Sequence, residues 1–178
     1  MGKLIKELDQ NDIKFITEQK IFFVATAPCE GKINLSPKGM NTFKVLDKNR
    51  VLWLNLTGSG NETAAHLLEN GRITIMFCSF DDKPNILRLY GHARSIYSKD
   101  ADWPNLIQLF PDFPGTRQLI DMTIDYVQNS CGMSIPILKF EKERDELVNW
   151  AEKMGETKIN EYQQEKNKVS IDGKPTGL

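Results

Sequence analysis

The chain has 178 residues, 23 of them basic and 24 acidic, for a formal net charge of −1. That length gives one domain, residues 1–178, as the default with enough chain for a real core, and so balanced a charge offers no field of one sign to gather nucleic acid. The longest apolar runs are far too short to span a bilayer, and the opening MGKLIKELDQ is amphipathic without the apolar stretch of a signal peptide. Two histidines exclude a His-rich metal centre by number alone. Cys29, Cys78 and Cys131 are scattered and odd in number, which argues against a disulfide framework or a zinc site and favours a reducing cytoplasm.

In chain order, Asp9 caps a short helix with Ile13 and Ile16 on its inner face. Residues 21–27, IFFVATA, are β-rich and apolar on both faces. Pro28 to Gly31 is a turn, so residues 32–36 are expected to return as the second arm of a hairpin. In Ser36-Pro37-Lys38-Gly39-Met40 the proline and glycine are expected to stop regular pairing and leave Lys38 on an irregular stretch. A short strand over 43–46 leads through a turn to 51–56, VLWLNL, a second apolar strand. The loop Thr57-Gly58-Ser59-Gly60-Asn61 follows, then Ala64, Ala65, Leu67 and Leu68 at helical spacing and a stop at Asn70-Gly71. Ser59 and Glu62 have the separation of a capping box.

Residues 73–80, ITIMFCSF, form another near-continuous apolar strand, and 85–98 a long one. Gly91 in its middle points to a bulge or a close approach by another group. Arg88 shares a face with Tyr90 and His92 if the strand is regular. A short helix over 102–110 and the rigid loop 111–115 lead to Arg117, which either reaches the neighbouring site or is exposed, the second being the expectation. Residues 119–129 alternate as a strand, and 135–140 are expected to add a last short one. A helical extension begins at about 141. In it Leu147, Trp150, Ala151 and Met154 repeat at helical spacing before Gly155. A polar helix over 160–168 and a turn-rich tail over 170–178 complete the chain.

Six or more short strands with tight connections give an antiparallel barrel or sandwich with peripheral helices. Strands apolar on both faces need cover on both sides: the core on one, a helix or a second subunit on the other. Strand, glycine loop and helix around 51–72 form an anion-binding arrangement, because the first N–H groups of a helix lack internal partners and its dipole adds positive potential. It is neither a Walker loop nor a dinucleotide fingerprint. Arg88, in an otherwise apolar strand, needs a partner, either a phosphate or a carboxylate. His66 reads as helix surface or a satisfied packing histidine, and His92 as structural. No base for nucleophilic chemistry is evident near Cys131.

The ordered set FFVATA, SPKG, LWLN, GSGNET, LLENGRI and LRLYGHAR resembles the pyridoxamine 5′-phosphate oxidase-like family of FMN-binding split barrels over roughly residues 13–97. The later PGTRQ, QNSCG and KNxxSIDGKPTGL stretches resemble a branch without an assigned reaction. The resemblance implies a mainly β, six- to seven-stranded antiparallel split barrel. It also implies a homodimer with FMN at the interface and a small-molecule substrate; the balanced charge and the short apolar runs imply no nucleic acid and no membrane. By position, Asn61, Glu62 and Thr63 occupy the family's Ser-Arg-Lys phosphate segment, with Gly60 leaving room for the anion. Ser36, Pro37, Lys38 and Gly39 correspond to the strand that lines the isoalloxazine, and Trp53 and Asn55 to the Tyr-Thr-Asn segment. The Arg-Lys pair is missing here, so Lys38 and Arg88 are the nearest sources of charge. The oxidase's closing Arg and His motif is also missing, which argues against pyridoxamine phosphate as substrate. These readings imply an FMN-dependent oxidoreductase of unknown substrate. The alternatives are a non-catalytic flavin- or haem-binding protein and a purely structural barrel.

Overall fold

The computed structural model describes residues 3–178; Met1 and Gly2 of the amphipathic opening lie outside the described residues. Eight strands and four helices follow in the order β1 (Lys3–Ile5), α1 (Gln10–Glu18), β2 (Phe22–Thr26), β3 (Asn34–Lys38), β4 (Phe43–Val45), β5 (Arg50–Leu56), α2 (Glu62–Glu69), β6 (Arg72–Cys78), β7 (Ile86–Ile96), α3 (Trp103–Ile107), β8 (Thr116–Ser130) and α4 (Glu146–Lys166). The strands form one antiparallel sheet in the order β3-β2-β6-β7-β8-β5-β4, with β1 added on β8. It curls into a half-barrel, the split-barrel architecture expected from the sequence.

Side-chain alternation explains the curl. Phe22 and Val24 of β2, Ile75 and Phe77 of β6, Leu87 and Leu89 of β7, and Val51 and Trp53 of β5 are buried in one core. Phe22, Phe43, Phe77 and Trp53 meet there at centroid distances of 5.0–6.1 Å, each burial being worth about 1.5–3 kcal/mol. The opposite face of β5, with Leu52 and Leu54, packs under α3 and Phe110. The both-sided apolar character of 51–56 therefore has its cover inside the chain. β2 and β3 differ: Leu35 is 66% exposed on the outer face, and Ile33 beside it is 78% exposed.

α1 opens with the expected cap, Asp9 accepting from the N–H groups of Asn11 and Asp12, and Asp12 returning the bond to the Asp9 N–H. Gly91 also behaves as its position predicts. A Cβ there would lie 2.0 Å from the Thr123 carbonyl oxygen. The register shifts beside it, with Tyr90 opposite Tyr126 and Gly91 opposite Ile124. The extra residue is Asp125, on β8, so β7 stays regular and Arg88, Tyr90 and His92 keep one face.

Several expectations change. Pro37 and Lys38 are paired, opposite Phe23 and Phe22; β3 is the edge of the sheet, where a residue without an N–H is tolerated. Residues 135–140 form no strand; the Ile135 N–H closes a turn on the Gly132 carbonyl at 2.8 Å, and the Leu138 N–H bonds the Phe80 carbonyl at 2.9 Å. The last helix starts at 146 rather than about 141. Gly155, at φ 73° and ψ 162°, leaves the helical region and ends the first segment as expected, so α4 is two helices joined at a kink. β1 adds a strand that the amphipathic opening did not announce.

Candidate functional site

A cleft of about 330 Å³ lies between the inner face of β3, the end of β5 and the start of α2. Period-two alternation puts Asn34, Ser36 and Lys38 of β3 on its wall. Trp53 and Asn55 of β5 form the floor, and residues 58–63 carry the chain over the mouth into α2. Ser36, Lys38, Trp53, Asn55, Gly60, Asn61, Glu62 and Thr63, all singled out from sequence, thus meet in one place. Pro37 and Gly39 border an adjoining recess of about 190 Å³ that shares Lys38, Trp53 and Asn55 with the cleft. Arg88 is elsewhere, on the outer face of β7, where its Nη1 donates to Ser130 Oγ at 3.0 Å.

The start of α2 is uncapped. The expected Ser59–Glu62 capping box is absent, and Asn61, the residue before the helix, makes no side-chain cap bond. Both acceptors are drawn away. Asn61 Oδ1 accepts from Gln118 Nε2 at 2.7 Å, and the Glu62 carboxylate accepts the Ile171 N–H at 3.1 Å. A helix start that keeps its orphan N–H groups free of side-chain acceptors is open to an outside anion. Thr63 Oγ1 accepts from Asn34 Nδ2 at 3.2 Å, and Ser36 Oγ donates to Asn34 Oδ1 at 3.0 Å, which ties the β3 wall to the helix. A Cβ on Gly60 would meet only Glu62, at 3.5 Å, an ordinary contact. The protein by itself therefore imposes no need for glycine there.

The second cation of the cleft is Arg117, not Arg88. The expectation of an exposed Arg117 is overturned: it is 6% exposed. The cause is a register shift on β8. Asn55 pairs with Gln118 and Leu56 with Thr116, which leaves Arg117 as the extra residue. A bulge re-aims its side chain, here into the cleft, where Nη1 donates to the Gly60 carbonyl at 3.0 Å and to Asn167 Oδ1 at 2.6 Å. Its Nε is buried without a hydrogen-bond partner.

Burial pushes the Arg117 pKa down to about 10. Burial first, and then the Arg117 charge, push Lys38 down to about 8. The Lys38 ammonium sits 5.1 Å from the Trp53 ring centroid. Among the described residues neither cation forms an ion pair with a carboxylate. Two largely buried cations, both disfavoured by burial and Lys38 also by Arg117, are arranged for an anion that neutralises both.

His66 takes the packing alternative. It is buried, with Nδ1 3.0 Å from Thr26 Oγ1, and burial lowers its pKa. It packs α2 against β2 and stays outside the cleft. His92 Nδ1 lies 2.8 Å from Asp125 on the outer face of the sheet. Among the described residues no group of His, Cys, Asp and Glu could hold a metal ion, and no helix is long and apolar enough to cross a membrane.

The family model of pyridoxamine 5′-phosphate oxidase matches residues 8–131. The chain belongs to the pyridoxamine 5′-phosphate oxidase family. The match takes in β2 to β8, hence every wall of the cleft except the closing segment around Asn167. A relative in Aspergillus flavus, the pyridoxamine 5′-phosphate oxidase family protein ustO, is 36% identical over 188 residues, covering 96% of this chain and 76% of its own. Among solved structures, HupZ of Group A Streptococcus aligns with a TM-score of 0.56 at 18% identity, over 68% of this chain and 98% of its own. A putative pyridoxamine 5′-phosphate oxidase of Lactobacillus delbrueckii aligns with a TM-score of 0.54 at 17% identity, over 69% and 98%. These two likenesses show the fold alone.

The residues present fit the phosphate end of a flavin nucleotide. Arg117, the uncapped helix start and Lys38, which has no carboxylate partner among the described residues, all line one cleft. The Glu62 carboxylate at the helix start is held by the Ile171 N–H instead of competing for those donors.

Proposed function

We propose that this chain is an FMN-dependent oxidoreductase that takes the FMN phosphate in the cleft between β3 and α2. The observation that carries the proposal is the pair Lys38 and Arg117, two cations without a carboxylate partner at an uncapped helix start. A dianionic phosphate satisfies both and accepts from the free N–H groups. From there the ring system extends along the β3 edge toward Pro37 and Gly39, in the adjoining recess. FMN, when bound, supplies the hydride or electron chemistry, and the chain's residues bind it, orient it and exclude water. Lys38 and Arg117 hold the phosphate. Asn34, Ser36 and Asn55 offer polar groups to the ribityl chain, and Trp53 forms the apolar floor.

A C2 homodimer with FMN at the interface completes the reading. The outer face of the sheet carries the exposed Leu35 and Ile33, apolar surface that a second copy would cover. Arg88 lies on that face as well, so it reaches a flavin only across such an interface. The substrate is a small molecule whose identity is left open.

The test is the visible spectrum of the protein as purified, mass identification of any released chromophore, and fluorescence titration with FMN. A yellow protein that releases FMN and turns over a reduced nicotinamide supports the proposal. A colourless protein that leaves added FMN fully fluorescent refutes it. Bound flavin with no turnover would favour the non-catalytic alternative.

A further inference from the structure

Residues 167–177 fold into a hairpin that closes on the start of α2. Val169 bridges Pro175, the Ser170 N–H bonds the Lys174 carbonyl at 2.8 Å, and the Thr176 N–H bonds the Lys168 carbonyl at 3.0 Å. The hairpin is anchored away from the cleft by Lys32–Asp172 and Lys174–Glu69, both at 2.8 Å, and by Tyr97 Oη donating to the Thr176 carbonyl. At its root Asn167 is 0% exposed. The Asn167 side chain accepts from Arg117 at 2.6 Å through Oδ1 and donates to the Gly58 carbonyl at 3.0 Å through Nδ2. Its backbone carbonyl accepts from Thr176 Oγ1 at 2.6 Å and from Asn61 Nδ2 at 3.4 Å. One residue thus touches the arginine, the glycine loop and the residue before the helix.

We propose that Asn167 is a positioning residue for the anion subsite, and that the hairpin it opens sets the preference of the cleft for a phosphate-bearing ligand. The inference rests on the phosphate reading of the cleft given above. Its physical core is the choice of an amide. A buried guanidinium needs an acceptor to be oriented. A carboxylate there would orient it and also neutralise it, leaving less attraction for an incoming anion. The Asn167 amide orients Arg117 and leaves its charge intact. The same hairpin keeps the Glu62 carboxylate from capping the helix start, because the Ile171 N–H donates to it. Bonds from the hairpin therefore act on both signs of charge in the subsite. Anchors such as Lys174–Glu69 act only on the hairpin.

The test compares FMN with riboflavin, which lacks the phosphate, on the full chain and on Asn167→Asp, Asn167→Ala and Lys174→Ala. The ratio of the two affinities isolates the phosphate contribution. Asn167→Asp is expected to lower the ratio roughly tenfold or more, since a charge-assisted bond to the phosphate is weakened, while riboflavin affinity holds. Asn167→Ala lowers it less and serves if the aspartate variant does not fold. Lys174→Ala lowers the melting temperature with the ratio unchanged. A ratio unchanged in both Asn167 variants overturns the inference, as does an equal loss of both ligands, the mark of a purely structural contact. A wild-type protein that binds riboflavin as well as FMN overturns the phosphate reading itself, and that failure is visible before any variant is made.

Discussion

Lys38 should make phosphate binding in the cleft depend on pH. Burial and the neighbouring Arg117 charge bring its pKa to about 8 from an ordinary 10.5. If only the protonated lysine receives the phosphate, the competent fraction falls from roughly nine-tenths at about pH 7 to roughly one-tenth at about pH 9. FMN affinity should therefore drop about tenfold across that interval, and binding near pH 8 should take up protons. The phosphate does not contribute, since a phosphate monoester has its second pKa near 6. Ionisation of the flavin ring is common to FMN and riboflavin, so riboflavin is the control and should show no such slope. Lys38→Arg keeps its charge throughout and should flatten the profile. Lys38→Met should remove the slope and weaken FMN binding at about pH 7 by roughly 1.5–3 kcal/mol, ten- to a hundredfold. The apo protein moves the other way. Between about pH 8 and 10.5 the unfolded chain holds more protons than the folded one, so stability conferred by this site rises with pH in that window. Fluorescence titrations of both ligands at several pH values decide the matter. Equal slopes for FMN and riboflavin, or a slope that survives in Lys38→Met, would refute the reasoning.

Three further outcomes are expected. Gly60→Val should reduce FMN affinity more than riboflavin affinity and leave the apo melting temperature nearly unchanged, because a Cβ there meets only Glu62 at 3.5 Å; calorimetry alongside titration checks both halves. Gly91→Ala should destabilise the fold by more than about 1 kcal/mol in urea unfolding, since its Cβ would meet the Thr123 carbonyl at 2.0 Å and the sheet must open to admit it. Arg88→Ala should weaken FMN binding only where light scattering shows a dimer, twice the 20.3 kDa chain mass; an effect in a monomer would place Arg88 in the subunit's own cleft.

Most of the site was legible in the sequence because it is built from local patterns. The strand at 51–56, the glycine loop and the apolar spacing of the helix are each contained within about ten residues, and the SPKG segment lies one hairpin away. What was missed depends on pairings between distant segments. Arg117 was read as exposed after a Pro-Gly turn, whereas a register shift against Asn55 and Leu56 turns it inward; no single strand carries that information. The Ser59–Glu62 spacing satisfied the capping pattern, yet Glu62 is taken by Ile171, more than a hundred residues on. Lys38 was expected on an irregular stretch because of Pro37. The edge position of β3, a property of the whole sheet, lets the pairing continue. His66 was left between surface and packing, and only the seating of α2 against Thr26 resolves it.

In the function proposed above, the cleft between β3 and α2 recognises a phosphate through Lys38, Arg117 and an open helix start. The most direct measurement is the wild-type dissociation constant for FMN divided by that for riboflavin, taken at about pH 7 and repeated on Lys38→Met. FMN should bind wild type at least tenfold more tightly than riboflavin, as one charge-assisted bond alone would give, and the lysine substitution should remove most of that advantage with little change for riboflavin. Equal affinities in the wild type, or an FMN advantage untouched by the substitution, would contradict it.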